Sequence, residues 1–117
     1  MPSILIVDDE PQILTLLMRV FIKAGWNVRT AVDANKAMES CLAAPVDVVL
    51  SDVDMPGVDG HCLVRWIAAT FPAVRTVLMS ALSEDCDECP FANGCTLLRK
   101  PFPPSDAVAA IANALSR

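Results

Sequence analysis

Five short apolar runs, each too brief for a helix and each followed by a segment of different periodicity, constrain this chain more than any other feature. Ser3-Ile4-Leu5-Ile6-Val7 is the first, rich in β-branched residues and followed at once by acids. Asn27 to Ala31, Val46 to Ser51, Arg75 to Ser80 and the shorter Thr96 to Arg99 repeat the pattern. Helical spacing fills the intervals. From Pro11 the residues Ile13, Leu14, Leu16, Leu17, Val20 and Phe21 fall on one side, with Gln12, Thr15, Arg19 and Lys23 opposite, and Gly25 closes the helix. Asp33 caps a second helix through Cys41, which Pro45 terminates from just beyond its end. The turn-rich run Met55-Pro56-Gly57-Val58-Asp59-Gly60 leads into a third helix with Leu63, Val64, Trp66 and Ile67 inward. Ser105 to Leu115 places Val108, Ile111 and Leu115 on one face of a last helix. Strands alternating with helices predict an α/β fold: a parallel sheet covered on both sides and joined by right-handed crossovers.

Composition narrows what such a fold can be used for. The 117 residues suit one domain, 1–117, with no repeat or linker, and 54% hydrophobic against 20% charged residues is far from the signature of disorder. Charge is 9 − 14 = −5 without a Lys/Arg cluster, so the chain lacks the electrostatic footprint for nucleic acid or an anionic membrane. No apolar run approaches membrane-spanning length, and no basic stretch or cleavage site precedes the first strand, so a cytoplasmic protein is expected. Five cysteines, an odd number, argue against a disulfide framework and for reduced thiols.

Chemistry gathers where the apolar strands stop. Asp8 and Asp9 follow the first strand, Asp52 ends the third, Ser80 the fourth and Lys100 follows the fifth. The carboxyl ends of the strands in an open α/β sheet form the crevice where ligands bind, so these five residues should converge. Three clustered carboxylates repel one another and raise each other's pKa unless a cation neutralises them. Mg²⁺ suits that role, because it takes a few carboxylates and completes its shell with water and phosphate oxygens. Singly, each position has an ordinary reading: an acidic pair after a strand can cap a helix, a lysine before a proline can be solvated, and a strand-end serine can be incidental. Their common place at one sheet edge decides for function.

The runs Val7-Asp8-Asp9-Glu10, Asp52-Val53-Asp54-Met55-Pro56-Gly57 with Asp59-Gly60, and Lys100-Pro101-Phe102 resemble the receiver (CheY-like) domains of two-component response regulators, over essentially the whole chain. The resemblance implies a flavodoxin-like doubly wound sheet of order 2-1-3-4-5 with about five helices. It implies Asp52 as phosphoacceptor, Asp9 and Asp52 as direct Mg²⁺ ligands, Asp8 in support, and the backbone carbonyl of Asp54 completing the protein ligands. Ser80 and Lys100 would hold phosphoryl oxygens. The implied donor is a histidine kinase or a histidine phosphotransfer protein. A homodimer or output domain would use the face made by the fourth helix, fifth strand and fifth helix. Transfer from phosphohistidine to a carboxylate is mostly positioning and charge neutralisation, which suits these residue types.

Departures from the family pattern sit on one side. Leu97 stands three residues before the lysine, where receivers often carry Tyr or Phe, which puts an aromatic switch in doubt. Between Ser80 and the fifth strand, Glu84-Asp85-Cys86-Asp87-Glu88-Cys89-Pro90 offers little apolar periodicity, so the fourth helix is expected to be short or irregular. Cys86, Cys89 and Cys95 fall short of paired zinc motifs and are read as free thiols. His61 beside a turn is given no role, and Trp26 and Trp66 are read as packing residues, Trp26 as the contact of a helix C-terminal motif. Two other classes compete. Asp52-Val53-Asp54 also resembles the nucleophile motif of haloacid-dehalogenase-like phosphatases, but Asp8 and Asp9 come before it and that order speaks against the match. A pseudo-receiver that keeps the fold without phosphorylation is disfavoured by all five site residues being present.

Overall fold

A computed structural model of the chain describes residues 2–53, 55, 57, 60–80 and 96–116. The segment 81–95, which holds the expected fourth helix and Cys86, Cys89 and Cys95, lies outside the described residues, as does Asp54. Five strands, β1 (Ser3–Val7), β2 (Asn27–Ala31), β3 (Val48–Asp52), β4 (Arg75–Ser80) and β5 (Thr96–Arg99), form one sheet of order β2-β1-β3-β4-β5. Every pairing is parallel. The helices among the described residues are α1 (Pro11–Lys23), α2 (Ala34–Ala43), α3 (Gly60–Thr70) and α4 (Pro104–Leu115), the last being the expected fifth helix.

The two-residue period of the inner strands divides the core into two layers. Ile4, Ile6, Val48, Leu50, Val77 and Met79 face α1 and α4, where they meet Leu14, Leu17, Phe21, Ala107, Ile111 and Ala114. Leu5, Val7 and Val49 face the other way, against Ala34, Ala37 and Cys41 of α2 and Leu63 and Ile67 of α3. Both faces of β1, β3 and β4 are therefore sealed, which is why these strands read as unbroken apolar runs. Burial pushes the Cys41 thiol pKa up, against a smaller downward pull from Arg29, so that group stays a neutral packing residue.

Local signals explain the element ends. Pro11 occupies the first turn of α1, where its missing N–H costs nothing. At the other end Gly25, at φ 94°, donates its N–H to the Ile22 carbonyl at 3.0 Å, and the Trp26 N–H donates to Phe21 at 2.9 Å. These are the two bonds of a Schellman cap, and its hydrophobic contact is present too: the Trp26 and Phe21 rings meet edge-on at 5.7 Å. Trp66 packs likewise on Phe71, at 5.8 Å. Asp33 caps α2 by accepting the Lys36 N–H at 2.7 Å.

Four boundaries move from their expected places. Helix α2 runs to Ala43 rather than Cys41, and α4 starts at Pro104, again a first-turn proline. Strand β3 begins at Val48 rather than Val46, because the Asp47 side chain turns back to Ser3 while Val46 drops into the second core layer. It ends one residue later, with Asp52 itself paired to Met79.

Candidate functional site

The parallel register brings the carboxyl ends of β1, β3, β4 and β5 level, and that carries the polar residues following each run to one edge of the sheet. Beyond β1 the ladder continues one step, with the Asp8 N–H donating to the Ala31 carbonyl at 3.1 Å. This fixes Asp8 in a fully buried position. Its Oδ1 accepts the Glu10 N–H at 2.9 Å, and its Oδ2 accepts from Lys100 Nζ at 3.0 Å. Glu10 is the N-cap residue of α1, and its own side chain makes no cap hydrogen bond. Asp8 therefore bonds the start of α1 with one oxygen and Lys100 with the other, which goes beyond the ordinary reading of the acidic pair as a helix cap.

Asp52 is 3% exposed, and its Oδ1 lies 3.4 Å from Lys100 Nζ. Lys100 reaches both aspartates because the β4–β5 ladder also runs past its end, the Lys100 N–H donating to the Ser80 carbonyl at 2.9 Å. Ser80 itself is fully buried at the end of β4. Burial of the Lys100 side chain, 16% exposed, pulls its pKa down, but the hydrogen bond and charge of Asp8, with Asp52 adding to them, outweigh this and leave it raised. The ammonium is thus firmly charged between two desolvated carboxylates.

Asp9 is exposed beside this pair. One carboxylate oxygen each from Asp8, Asp9 and Glu10 lies within 4.8 Å of the others. Glu10 is the member that sequence reasoning did not nominate, although the run of three acids contained the signal. These are hard oxygen donors, partly desolvated and open on the Asp9 side, and they suit Mg²⁺ better than a softer metal. His61, the second residue of α3, is half-buried, its carbonyl accepting from Arg65 Nε at 3.4 Å.

A family model described as response regulator receiver domain matches residues 4–112. The chain belongs to that family. It is a family of signalling domains of two-component systems, and its relatives sit in different contexts. The chain is 34% identical over 113 residues to the DNA-binding transcriptional regulator NtrC of Klebsiella pneumoniae, covering 95% of this chain and 24% of that one. It is 36% identical over 101 residues to the sensor histidine kinase RcsC of Salmonella typhimurium, covering 84% of this chain and 10% of that protein. The chain therefore spans about a quarter of the NtrC relatives it matches. Among solved structures, response regulator TrrA of Thermotoga maritima, in complex with Mg(2+)-BeF, superimposes with a TM-score of 0.88 at 25% identity, covering 98% of this chain and 100% of that one. No helix among the described residues is long and apolar enough to cross a membrane.

Proposed function

We propose that residues 1–117 form one phosphoacceptor receiver domain in which Asp52 takes a phosphoryl group from a phosphohistidine. The observation that carries this reading is the Lys100 ammonium held between buried Asp8 and Asp52. A carboxylate at 3% exposure with a fixed cation 3.4 Å from its Oδ1 is a nucleophile with little water to shed. One Asp52 oxygen attacks phosphorus in line, the P–N bond to the donor imidazole breaks, and an acyl phosphate remains on Asp52. Lys100 is close enough to follow the charge from the carboxylate onto the phosphoryl oxygens, and the Ser80 hydroxyl can turn to bond another. Such a turn would draw the loop after β4 along, giving a shift between two packings no larger than their difference in phosphoryl contacts.

Mg²⁺ fits the donor set of Asp8, Asp9 and Asp52, with the Asp54 carbonyl as the further ligand that the resemblance implies, and when bound it would supply positive charge for the transferring group. Glu10 stands beside these residues as an additional acid. A histidine kinase or a histidine phosphotransfer protein is the donor this chemistry calls for, in the cytoplasm. Acetyl phosphate with Mg²⁺ tests the reading without a partner: intact-mass measurement should find one added phosphoryl group, and Asp52→Asn, which keeps the volume but not the nucleophile, should take none. Equal labelling in Asp52→Asn overturns the assignment; no labelling of the parent chain favours a pseudo-receiver.

A further inference from the structure

The peptide that carries Asp52 is gripped from two sides by residues that touch none of the reacting atoms. On one side the Ser51 hydroxyl, fully buried, donates to the Asp52 carbonyl at 3.0 Å. On the other, Gly60 at the start of α3 lies flat across the same peptide. A Cβ there would run into the Asp52 carbonyl oxygen and stand 2.9 Å from Val53 Cα and 3.1 Å from the Asp52 carbonyl carbon. Gly60 is not among the residues with positive φ, so space and not backbone conformation requires the glycine. The N–H of this same peptide, that of Val53, donates to the Met79 carbonyl at 2.9 Å, and the next peptide is pinned through the Val53 carbonyl, which accepts from Met55 at 3.1 Å and Gly60 at 3.2 Å.

Helix α3 is also anchored further along by Leu63, Val64 and Ile67, all buried. What the contact at Gly60 adds is a fixed position for the last peptide of the strand, from which the Asp52 side chain is two bonds away. We propose that Ser51 and Gly60 are positioning residues, a clamp on the Asp52 peptide that sets the approach of its carboxylate to an incoming phosphoryl group. The inference rests on the reading of Asp52 as phosphoacceptor. In-line transfer is sensitive to such placement, a misplacement of about 1 Å costing on the order of 10²-fold in rate. A methyl at Gly60 must push the Asp52 peptide or lift the start of α3, and either changes where the carboxylate points.

The test compares phosphorylation by acetyl phosphate and Mg²⁺ across variants, with thermal melting recorded for each. Gly60→Ala should lower the maximal rate at saturating donor by about tenfold or more, with the half-saturating donor concentration little changed. Ser51→Ala, which removes the hydroxyl's bond to the Asp52 carbonyl without adding bulk, should slow the maximal rate in the same sense but less. Ile67→Val, on the buried face of α3 away from Asp52, should lower the melting temperature while leaving the rate of the folded protein at the parent value. A parent-like maximal rate in folded Gly60→Ala overturns the proposal. Where Gly60→Ala does not fold, Ser51→Ala decides, and a parent-like rate there overturns it equally. An unlabelled parent chain, or labelling that survives Asp52→Asn, strikes the phosphoacceptor reading instead, so the two failures are distinguishable.

Discussion

Aspartates stand at both edges of the sheet, in opposite circumstances. At the amino edge Asp47 is exposed, and its Oδ2 accepts from the Ser3 N–H at 2.7 Å and the Ser3 hydroxyl at 3.2 Å. Its own N–H donates to Ser3, and its carbonyl accepts from Arg75, so the residue ties the starts of β1, β3 and β4 together. At the carboxyl edge Asp8 and Asp52 are buried and share one ammonium that lies 92 residues from Asp8 in sequence. Water and near neighbours solvate the first carboxylate at small cost. The other two are desolvated, and a distant cation folded in against them offsets that cost, helped at Asp8 by the Glu10 N–H. One edge joins strands; the other stores charge, and stored charge is what a phosphoryl acceptor needs.

The sharpest way to break this contrast is to remove the cation. Lys100→Met keeps much of the stem volume but takes the cation away from desolvated Asp8 and Asp52. Urea unfolding without divalent metal should find a loss of roughly 3 kcal/mol, the low end for a broken buried pair because Lys100 retains some solvent contact. Added Mg²⁺ should recover part of it, since it supplies the missing charge, and phosphorylation should remain slow. A loss below about 0.5 kcal/mol, the scale of ordinary surface changes, would mean that the two edges do not differ as described.

The amino edge gives the complementary outcome. Asp47→Ala deletes an acceptor for two Ser3 donors that remain near water, so the cost should be about 1 kcal/mol in the same unfolding experiment. Labelling of Asp52 by acetyl phosphate should proceed at the parent rate. Slowed labelling would show that the two edges are mechanically coupled through β3.

Much of this arrangement was legible in the sequence, for reasons that differ by residue. β1, β2, β4 and β5 appear with their expected bounds, and for β1 and β4 the reason is that doubly buried strands are apolar runs that polar residues interrupt. The convergence of Asp8, Asp52, Ser80 and Lys100 followed from the same logic, since each stands where a run stops. The start of β3 was misread because Val46 is apolar and buried, yet packs against a helix layer and not in the ladder. Glu10 joins the acidic cluster only through the fold, since an acid at the beginning of a helix is ordinarily accounted for by the helix dipole. The bond from Lys100 to Asp8 had no signal, because sequence order says which strand end a lysine follows and not which carboxylate its four-carbon stem will reach. Gly60 belonged to a recognisable motif, but the contact that demands a glycine is with a strand eight residues earlier and exists only in the folded chain.

Asp9 has the smallest expected effect on folding and sharpens the contrast within the carboxyl edge itself. From sequence, three clustered carboxylates predict mutual repulsion, so that Asp9→Asn should stabilise the metal-free protein. The geometry reduces that expectation. Asp9 is exposed, where water and salt screen its charge, and the buried carboxylate beside it is already neutralised by Lys100. Metal-free Asp9→Asn should therefore unfold within about 0.5 kcal/mol of the parent, on the stable side. Mg²⁺ binding should separate the two proteins far more, weakening by about tenfold or more by isothermal titration, since even supporting groups of a metal site are worth that much. A metal-free gain well above 1 kcal/mol would mean that Lys100 leaves the acidic cluster under strain; unchanged Mg²⁺ affinity would mean that Asp9 holds no metal, and that the exposed acid is only solvated surface.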